Sequence, residues 1–273
     1  MNRRILILGQ GFIGGLLQKE LGGKVDGSRI NCFSDAEKLI KKYNPQIVIN
    51  CIGVNGKRNV DDCELEKDRT LLANSFVPVM LAESCLRHQV KLVSISSGCI
   101  FNYDYKKNRP LTEECQDYFF KLFYSRSKIY SERALAALSR DYNILIVRIR
   151  IPLLSSKHPK NLLDKLIKYR QVIDAPNSVT YIPDFILAVK HLIKINARGI
   201  YNVVNSGGLR YPVLMKLYQK YVPEFKYQVI ALKKLRLIRT NLVLSTRKLQ
   251  QSGFKVRSIN AVLEECVKGY LKS

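Results

Sequence analysis

Short, nearly uninterrupted apolar runs alternate along the first half of the chain with longer stretches in which apolar residues recur every three or four positions. Residues 4–8 (RILIL), 46–50 (QIVIN), 91–95 (KLVSI) and 144–149 (ILIVRI) are rich in β-branched side chains, the pattern of strands covered on both faces. Between them, residues 34–43 predict a helix, with Ser34 as N-cap, Glu37 three positions on, and Leu39, Ile40 and Tyr43 at helical spacing. Residues 69–88 predict a second helix, with Leu72, Phe76, Met80 and Leu81 on one face; Pro78 should kink it or mark its true start. Residues 125–139 predict a third. Strands alternating with helices imply an α/β fold, a Rossmann-type doubly wound parallel sheet. After Pro152 the rhythm changes to helical stretches at 162–169, 182–195, 213–221 and 259–271, so residues 1–152 are expected to form the sheet domain and residues 153–273 a smaller, helix-rich C-terminal lobe. Residues 200–204 (IYNVV) have strand character and are expected to return to the sheet.

Composition narrows the partners. The 273 residues are 47% hydrophobic and 25% charged, ordinary for a folded soluble chain. The charge is not ordinary: 46 Lys and Arg against 22 Asp and Glu give +24, which admits nucleic acid, anionic membranes and phosphorylated small molecules. The basic residues are scattered, as at Arg3-Arg4, Lys41-Lys42, Lys106-Lys107 and Lys233-Lys234, which reads as solvated faces; a nucleic-acid partner is not expected. The seven cysteines lack a CxxC or His-paired spacing, so neither a disulfide framework nor a metal site is expected. His88, His158 and His191 are isolated and are assigned no chemistry. No cleavable leader or bilayer-length apolar stretch is apparent, which makes the cytoplasm the expected compartment and a membrane an unexpected partner.

Candidate chemistry begins directly after the first strand run. Gly9-Gln10-Gly11-Phe12-Ile13-Gly14 is a GxGxxG opening an apolar helix. The first glycine permits a tight turn, the second lets backbone approach a pyrophosphate, and the third lets helix and strand close. Amides at the helix start then hold the phosphates, so residues 1–152 are read as an NAD(P)-binding domain and residues 153–273 as its substrate-binding lobe. Asp26 comes earlier than the usual position for a ribose-binding acid, while Ser28 and Arg29 behind it suit a 2'-phosphate. The expected cofactor is NADPH, with NADH as the alternative.

Two further constellations lie downstream. Tyr124-Ser125-Arg126-Ser127-Lys128 sets a phenol and an amine one helical turn apart. A neighbouring ammonium stabilises phenolate, bringing tyrosine down from its ordinary ~10 so that it passes a proton near neutral pH. The run VSISSGCIFN ends a strand in Ser96-Ser97-Gly98-Cys99.

Together, GxGxxG, the hydroxyl at the strand end and YxxxK resemble the extended short-chain dehydrogenase/reductases that modify nucleotide sugars. Residues 50–64 (NCIGVNGKRNVDDCE), 96–101 (SSGCIF), 148–152 (RIRIP) and 176–180 (PNSVT) are similar to the 3,5-epimerase/4-reductases that make nucleotide-linked L-rhamnose. The related dTDP-4-dehydrorhamnose reductases carry an STD-like strand end, where this chain has Ser97-Gly98-Cys99. GDP-fucose synthases, also epimerase-reductases, have Ser-Ser-Cys there.

The resemblance implies conversion of a UDP- or dTDP-linked 4-keto-6-deoxy-glucose to the L-rhamnose nucleotide. Tyr124 and Lys128 would supply the proton at C4, and Ser97 would bind the carbonyl. Cys99 would be the base that inverts the ring carbons, because a thiol with an unperturbed pKa of ~8.5 ionises far more readily than serine. Lys165 would be the acid on the opposite face; on the helix at 162–169 it points away from the apolar side, toward a cleft or bulk water. Cys51, Gly53, Phe12 and Ile13 would line the cofactor, and Arg150 and Asn177, with Arg148 as a further candidate, would contact the substrate. Family members are often dimers, which makes a homodimer the assembly to consider. Two other readings stay open: a 4-keto reductase without epimerase activity, and a non-catalytic, cofactor-holding regulatory subunit of the same fold.

Overall fold

The structure, a computed structural model, describes residues 4–234 and 238–273, apart from the side chain of Lys233. Its strands are β1 (Ile5–Leu8), β2 (Lys24–Asp26), β3 (Ile47–Asn50), β4 (Lys91–Ser97), β5 (Ile144–Ile149), β6 (Pro152–Leu153), β7 (Gln171–Ile173), β8 (Thr180–Tyr181), β9 (Gly199–Asn202) and β10 (Gln228–Ile230). Its helices are α1 (Phe12–Leu21), α2 (Phe33–Tyr43), α3 (Lys67–Leu71), α4 (Val77–Arg87), α5 (Phe123–Leu138), α6 (Leu162–Tyr169), α7 (Ile182–Lys194), α8 (Tyr211–Tyr221), α9 (Arg247–Gln251) and α10 (Ile259–Leu271). Among the described residues no helix is long and apolar enough to cross a membrane.

The apolar runs form a six-stranded sheet in the order β2-β1-β3-β4-β5-β9. β1 pairs in parallel with β2 and β3, and β3 with β4; Leu8 lies opposite both Asp26 and Asn50, and Asn50 opposite Ser94. The chain leaves β1 toward one edge and returns on its other side as β3. That reversal opens a crevice at the carboxyl ends of β1 and β3, the general ligand position of open α/β sheets. The glycine loop and residues 51–53 follow directly on those two ends.

Two compact units interleave along the chain. The first takes the described residues up to Ile100, then Tyr118–Arg148 and Lys190–Tyr201; the second takes Phe101–Asp117, Ile149–Val189 and Asn202–Ser273. In the first, Leu6, Leu8, Val48, Leu92 and Ile146 pack against Leu39 and Ile40 of α2, Leu81 and Cys85 of α4, and Leu135 of α5. The strand expected at residues 200–204 is β9, at the sheet edge. Buried Lys91 helps hold it: the ammonium donates to Asn143 Oδ1 at 2.8 Å, Asn196 Oδ1 at 3.1 Å and Ala197 O at 2.7 Å, tying the start of β4 to the turn before β9. In the second unit α6, α8 and α10 share a core that includes Leu163, Leu166, Leu214, Met215, Val262 and Val267, beside the parallel pairs β6–β8 and β7–β10.

Two local expectations differ from the structure. α2 is capped at Cys32, not Ser34: Asp35 Oδ2 accepts from Cys32 N at 3.3 Å and Asn31 N at 3.0 Å, while Glu37 is drawn off to Ser84 Oγ and His88 Nε2. The single helix expected at 69–88 is three pieces: α3, a π-helical turn at Leu72–Phe76, and α4 with Pro78 in its first turn. Pro78 has no N–H to give Asn74 O, and Val77 N bonds back to Leu72 O, so one extra residue is accommodated. β2 has only three residues behind Gly22-Gly23 and leaves too short an apolar signal to read from sequence.

Candidate active site

In the glycine loop, Gly9 and Gly14 are packing glycines. Gly9 has φ +100°, and a Cβ there would lie 2.9 Å from Cys51 C and Ile52 N; a Cβ on Gly14 would lie 2.0 Å from Gly9 O. Gly11 is different: a Cβ on it meets nothing within 4 Å. It is the N-cap of α1, with no capping side chain and no acidic residue in the first turn, so the positive end of the helix faces an open cradle. Phe12 and Ile13 form that first turn. These residues fit a pyrophosphate.

Asp26, at the end of β2, is already engaged. Its carboxylate accepts from Ser28 N at 2.7 Å and Tyr43 OH at 2.8 Å, with Lys42 Nζ at 3.9 Å. The bonds from Ser28, then Tyr43 and the Lys42 charge, hold its carboxyl below the ordinary range against the opposing effect of burial. Arg29 is exposed and makes no hydrogen bond or ion pair with any described residue, so its guanidinium is available to an anion at this corner.

Tyr124 and Lys128 lie one turn apart in α5, Tyr124 half-buried and Lys128 7% exposed. A Cβ on Gly53 would come within 3.2 Å of both Lys128 Nζ and Asn74 Oδ1; glycine here admits the lysine to the end of β3. Burial pushes the Lys128 ammonium down to about 8, opposed by the Glu132 charge. Cys51, beside it, is pushed up to about 12 by burial and stays a thiol at neutral pH.

The sequence reading did not find the residues that hold this arrangement. Asn74, in the π turn, donates to Val54 O at 2.8 Å and Ser127 Oγ at 3.0 Å and accepts from Val54 N at 2.8 Å; Ser75 Oγ donates to Ser127 O at 2.7 Å. Glu64 caps α5, accepting from Phe123 N at 2.8 Å, a carboxylate at the positive end of the helix that carries Tyr124. Pro78 was the available hint for Asn74. For Glu64 it was the acidic end of NVDDCE, without a target.

At the end of β4, Ser97 Oγ accepts from Cys99 N at 3.1 Å and donates to no described residue, leaving its proton for a ligand. Ser125 Oγ donates to Cys99 O at 2.6 Å, pinning the Cys99 backbone to the residue that follows Tyr124. The nucleophile-bearing strand end and the first turn of α5 therefore meet. Ser96 and Arg148 belong to a buried network: Arg148 Nε and Nη2 donate to Glu132 Oε1 at 3.0 and 2.7 Å, and Ser96 Oγ donates to Glu132 Oε2 at 2.6 Å. Arg148 is thus an internal ion-pair partner.

In the second unit, Arg150 and Asn177 are brought together. Arg150 Nη2 donates to Asn177 Oδ1 and, at 2.8 Å, to Thr240 O; Nη1 donates to Thr240 Oγ1 at 3.0 Å. These acceptors are neutral oxygens, in contrast to the carboxylate that Arg148 meets. Asn177 Nδ2 donates in turn to Tyr211 OH at 2.9 Å and Asn241 Oδ1 at 3.1 Å. Both side chains are almost fully buried. Lys165 sits half-buried on α6, its side chain without a hydrogen bond or ion pair to any described residue. Desolvation, aided by the Lys160 charge, lowers its pKa, so it does not stand in bulk water. Its neighbour Asp164 is taken up by His158 N at 3.2 Å and Tyr270 OH at 3.1 Å.

Known proteins match this chain over most of its length. It is 31% identical over 277 residues to a bifunctional dTDP-4-dehydrorhamnose 3,5-epimerase/dTDP-4-dehydrorhamnose reductase of Arabidopsis thaliana, covering 94% of this chain and 90% of that protein. It is 32% identical over 237 residues to a trifunctional UDP-glucose 4,6-dehydratase/UDP-4-keto-6-deoxy-D-glucose 3,5-epimerase/UDP-4-keto-L-rhamnose-reductase of the same plant; the match covers 82% of this chain and only 35% of that relative. The crystal structure of the L780 UDP-rhamnose synthase from Acanthamoeba polyphaga mimivirus superposes with a TM-score of 0.90 at 25% identity, covering 98% of this chain and 99% of that one. The model of the RmlD substrate binding domain family matches residues 4–207. With that match and relatives above 30% identity along most of its length, the chain belongs to the RmlD substrate binding domain family.

Proposed function

We propose that this chain is an NADPH-dependent 3,5-epimerase/4-reductase that converts a UDP- or dTDP-linked 4-keto-6-deoxy-glucose to the corresponding nucleotide L-rhamnose. The observation that carries the reading is the junction of β4 and α5. Ser125 ties Cys99 to the first turn of the helix that bears Tyr124 and, one turn on, the buried Lys128. The family, and a bifunctional relative matched over nearly its whole length, support the same chemistry.

The cradle at Gly11, Phe12 and Ile13 would hold the pyrophosphate, Gly53 and Cys51 would border the cofactor, and Arg29 with Ser28 would take a 2'-phosphate, Asp26 being committed to Ser28 and Tyr43. Bound NADPH would supply the hydride that reduces C4. Ser97 donates a hydrogen bond to the C4 carbonyl oxygen and keeps its proton, and the Tyr124 phenol gives its proton to the alkoxide, helped by the Lys128 ammonium. Before reduction, the C4 carbonyl acidifies the C3 and C5 protons; Cys99 removes them as base and Lys165, desolvated and unpaired, returns protons from the other face. Arg150 and Asn177 would contact the substrate.

The test is NMR product analysis after incubation of the protein with UDP- and dTDP-4-keto-6-deoxy-glucose and NADPH. Tyr124→Phe should abolish cofactor oxidation. In deuterated water without cofactor, wild type should exchange the C3 and C5 protons and Cys99→Ser should not, while Lys165→Met should fail to invert those carbons. Equal turnover by wild type and Tyr124→Phe removes the mechanism. Reduction without exchange leaves a 4-keto reductase, and cofactor binding without turnover leaves a regulatory subunit.

A further inference from the structure

Glu132 lies one turn beyond Lys128 on α5 and is 2% exposed. Both of its carboxylate oxygens are used outside its own helix. Oε1 takes two bonds from Arg148, itself 1% exposed, and Oε2 takes one from Ser96, the residue before Ser97. Three elements, β4, α5 and β5, are thereby joined through one carboxylate. An ion pair removed so completely from water is a poor source of stability, because apolar side chains of similar volume often do as well. Its place in the molecule offers a better reason for it. One turn from the lysine on α5 and hydrogen-bonded to the residue before the serine, it neighbours both halves of the relay while being closed to substrate.

We propose that Glu132 is a positioning residue for the proton relay: it holds Ser96, and so Ser97, in register with α5, and supplies the negative charge that keeps Lys128 an ammonium beside Tyr124. The proposal rests on the roles given above to Tyr124, Lys128 and Ser97. The groups facing Lys128 are few. Cys51 follows β3 and Cys63 lies in the 3-10 turn at Val60–Glu64; burial raises both thiols, so neither is charged at neutral pH. Asn74 from the π turn is neutral. Among the charges acting on Lys128, that of Glu132 is the largest, and it works against desolvation. Arg148 reaches this region from β5 and, with Glu132 gone, would repel the ammonium.

The experiment is the pH profile of reduction for wild type, Glu132→Gln, and the charge-neutral double variant Glu132→Gln/Arg148→Met, with Tyr124→Phe run alongside. Glutamine has one acceptor oxygen, which serves Ser96 or Arg148 but not both; in the double variant Arg148 is gone, so the glutamine keeps its acceptor for Ser96 while the carboxylate charge is lost. Reduction needs Lys128 protonated, and activity falls on the alkaline side as the proton leaves. Removing the carboxylate should move that limb to lower pH, by about one pH unit in Glu132→Gln and by less in the double variant, with little change in KM. The single variant leaves Arg148 buried without its partner and is expected to be the less stable; the double variant keeps the test readable if the single does not fold. Alkaline limbs that coincide with wild type in a folded variant overturn the proposal, whatever the change in Tm. Full activity in Tyr124→Phe would overturn the relay and this proposal together, whereas a dead Tyr124→Phe with an unmoved limb overturns this one alone.

Discussion

Replacing Gly11 by alanine adds one methyl group at the N-cap of α1, where φ is −75° and ψ −173°, a conformation open to any residue. That methyl meets no protein atom within 4 Å. The fold therefore loses only the N-cap preference of glycine over alanine, about 0.5–1 kcal/mol. A pyrophosphate seated on the first turn of α1 would meet the methyl directly, and losing the close backbone approach should weaken NADPH at least about tenfold, ~1.4 kcal/mol. Two neighbours serve as controls with opposite signs. In Gly14→Ala the new Cβ falls 2.0 Å from Gly9 O and 3.5 Å from Cys51 Cβ. Backbone must move, at a cost of about 1–3 kcal/mol or more, with or without cofactor. Gly15→Ala meets nothing within 4 Å and sits inside α1, where it should gain up to about 1 kcal/mol. Thermal unfolding of the three variants, with and without NADPH, beside a fluorescence titration of NADPH, separates packing from binding. Gly15→Ala should raise Tm and Gly14→Ala lower it. Gly11→Ala should stay within about 2–4 °C of wild type while losing most of its NADPH-induced shift. Wild-type NADPH affinity in a folded Gly11→Ala would refute the assignment of the cradle.

Two other outcomes concern buried lysines. With Lys128 pushed down to about 8, the unfolded chain, whose lysine titrates near ~10.4, binds more protons than the folded chain between those values. Stability therefore rises with pH across that window, and below it the buried charge costs the fold its full amount, roughly 3 kcal/mol. Lys128→Met should accordingly raise Tm at pH 7 while abolishing reduction, with the gain shrinking toward pH 10; a less stable variant at pH 7 contradicts the sign. Lys91 carries the opposite expectation, because three oxygens satisfy its ammonium. Lys91→Met strands those acceptors and should lower stability by about 2–4 kcal/mol in denaturant unfolding without moving the pH profile of reduction; an unchanged midpoint would show that β9 is held by other contacts.

What could be read along the chain was whatever depends on near neighbours. Strands covered on both faces must be apolar throughout, so β1, β3, β4 and β5 declared themselves, and so did β9. The glycine spacing marked the turn between β1 and α1, and the Tyr124 and Lys128 spacing is a property of one helix. By itself, then, the sequence determined the alternation of elements, the glycine turn between β1 and α1 and which side chains are the candidates for proton handling. Desolvation and hydrogen-bond partnership belong to residues far apart in the chain, and only the tertiary structure decided them. Pro78 signalled a break, but not that a π turn would send Asn74 to Val54 and Ser127. Glu64 became the cap of α5 across the intervening α3 and α4. The two arginines of RIRIP look alike in sequence, yet one meets a buried carboxylate and the other neutral oxygens. Lys165 was placed by periodicity on the polar side of α6, where solvent and a cleft are indistinguishable; folding leaves it half-buried and partly desolvated. Side-chain type is written locally, but the dielectric and the charges around a side chain come from whatever else the fold brings beside it, and those surroundings make a lysine, a carboxylate or a thiol chemically useful.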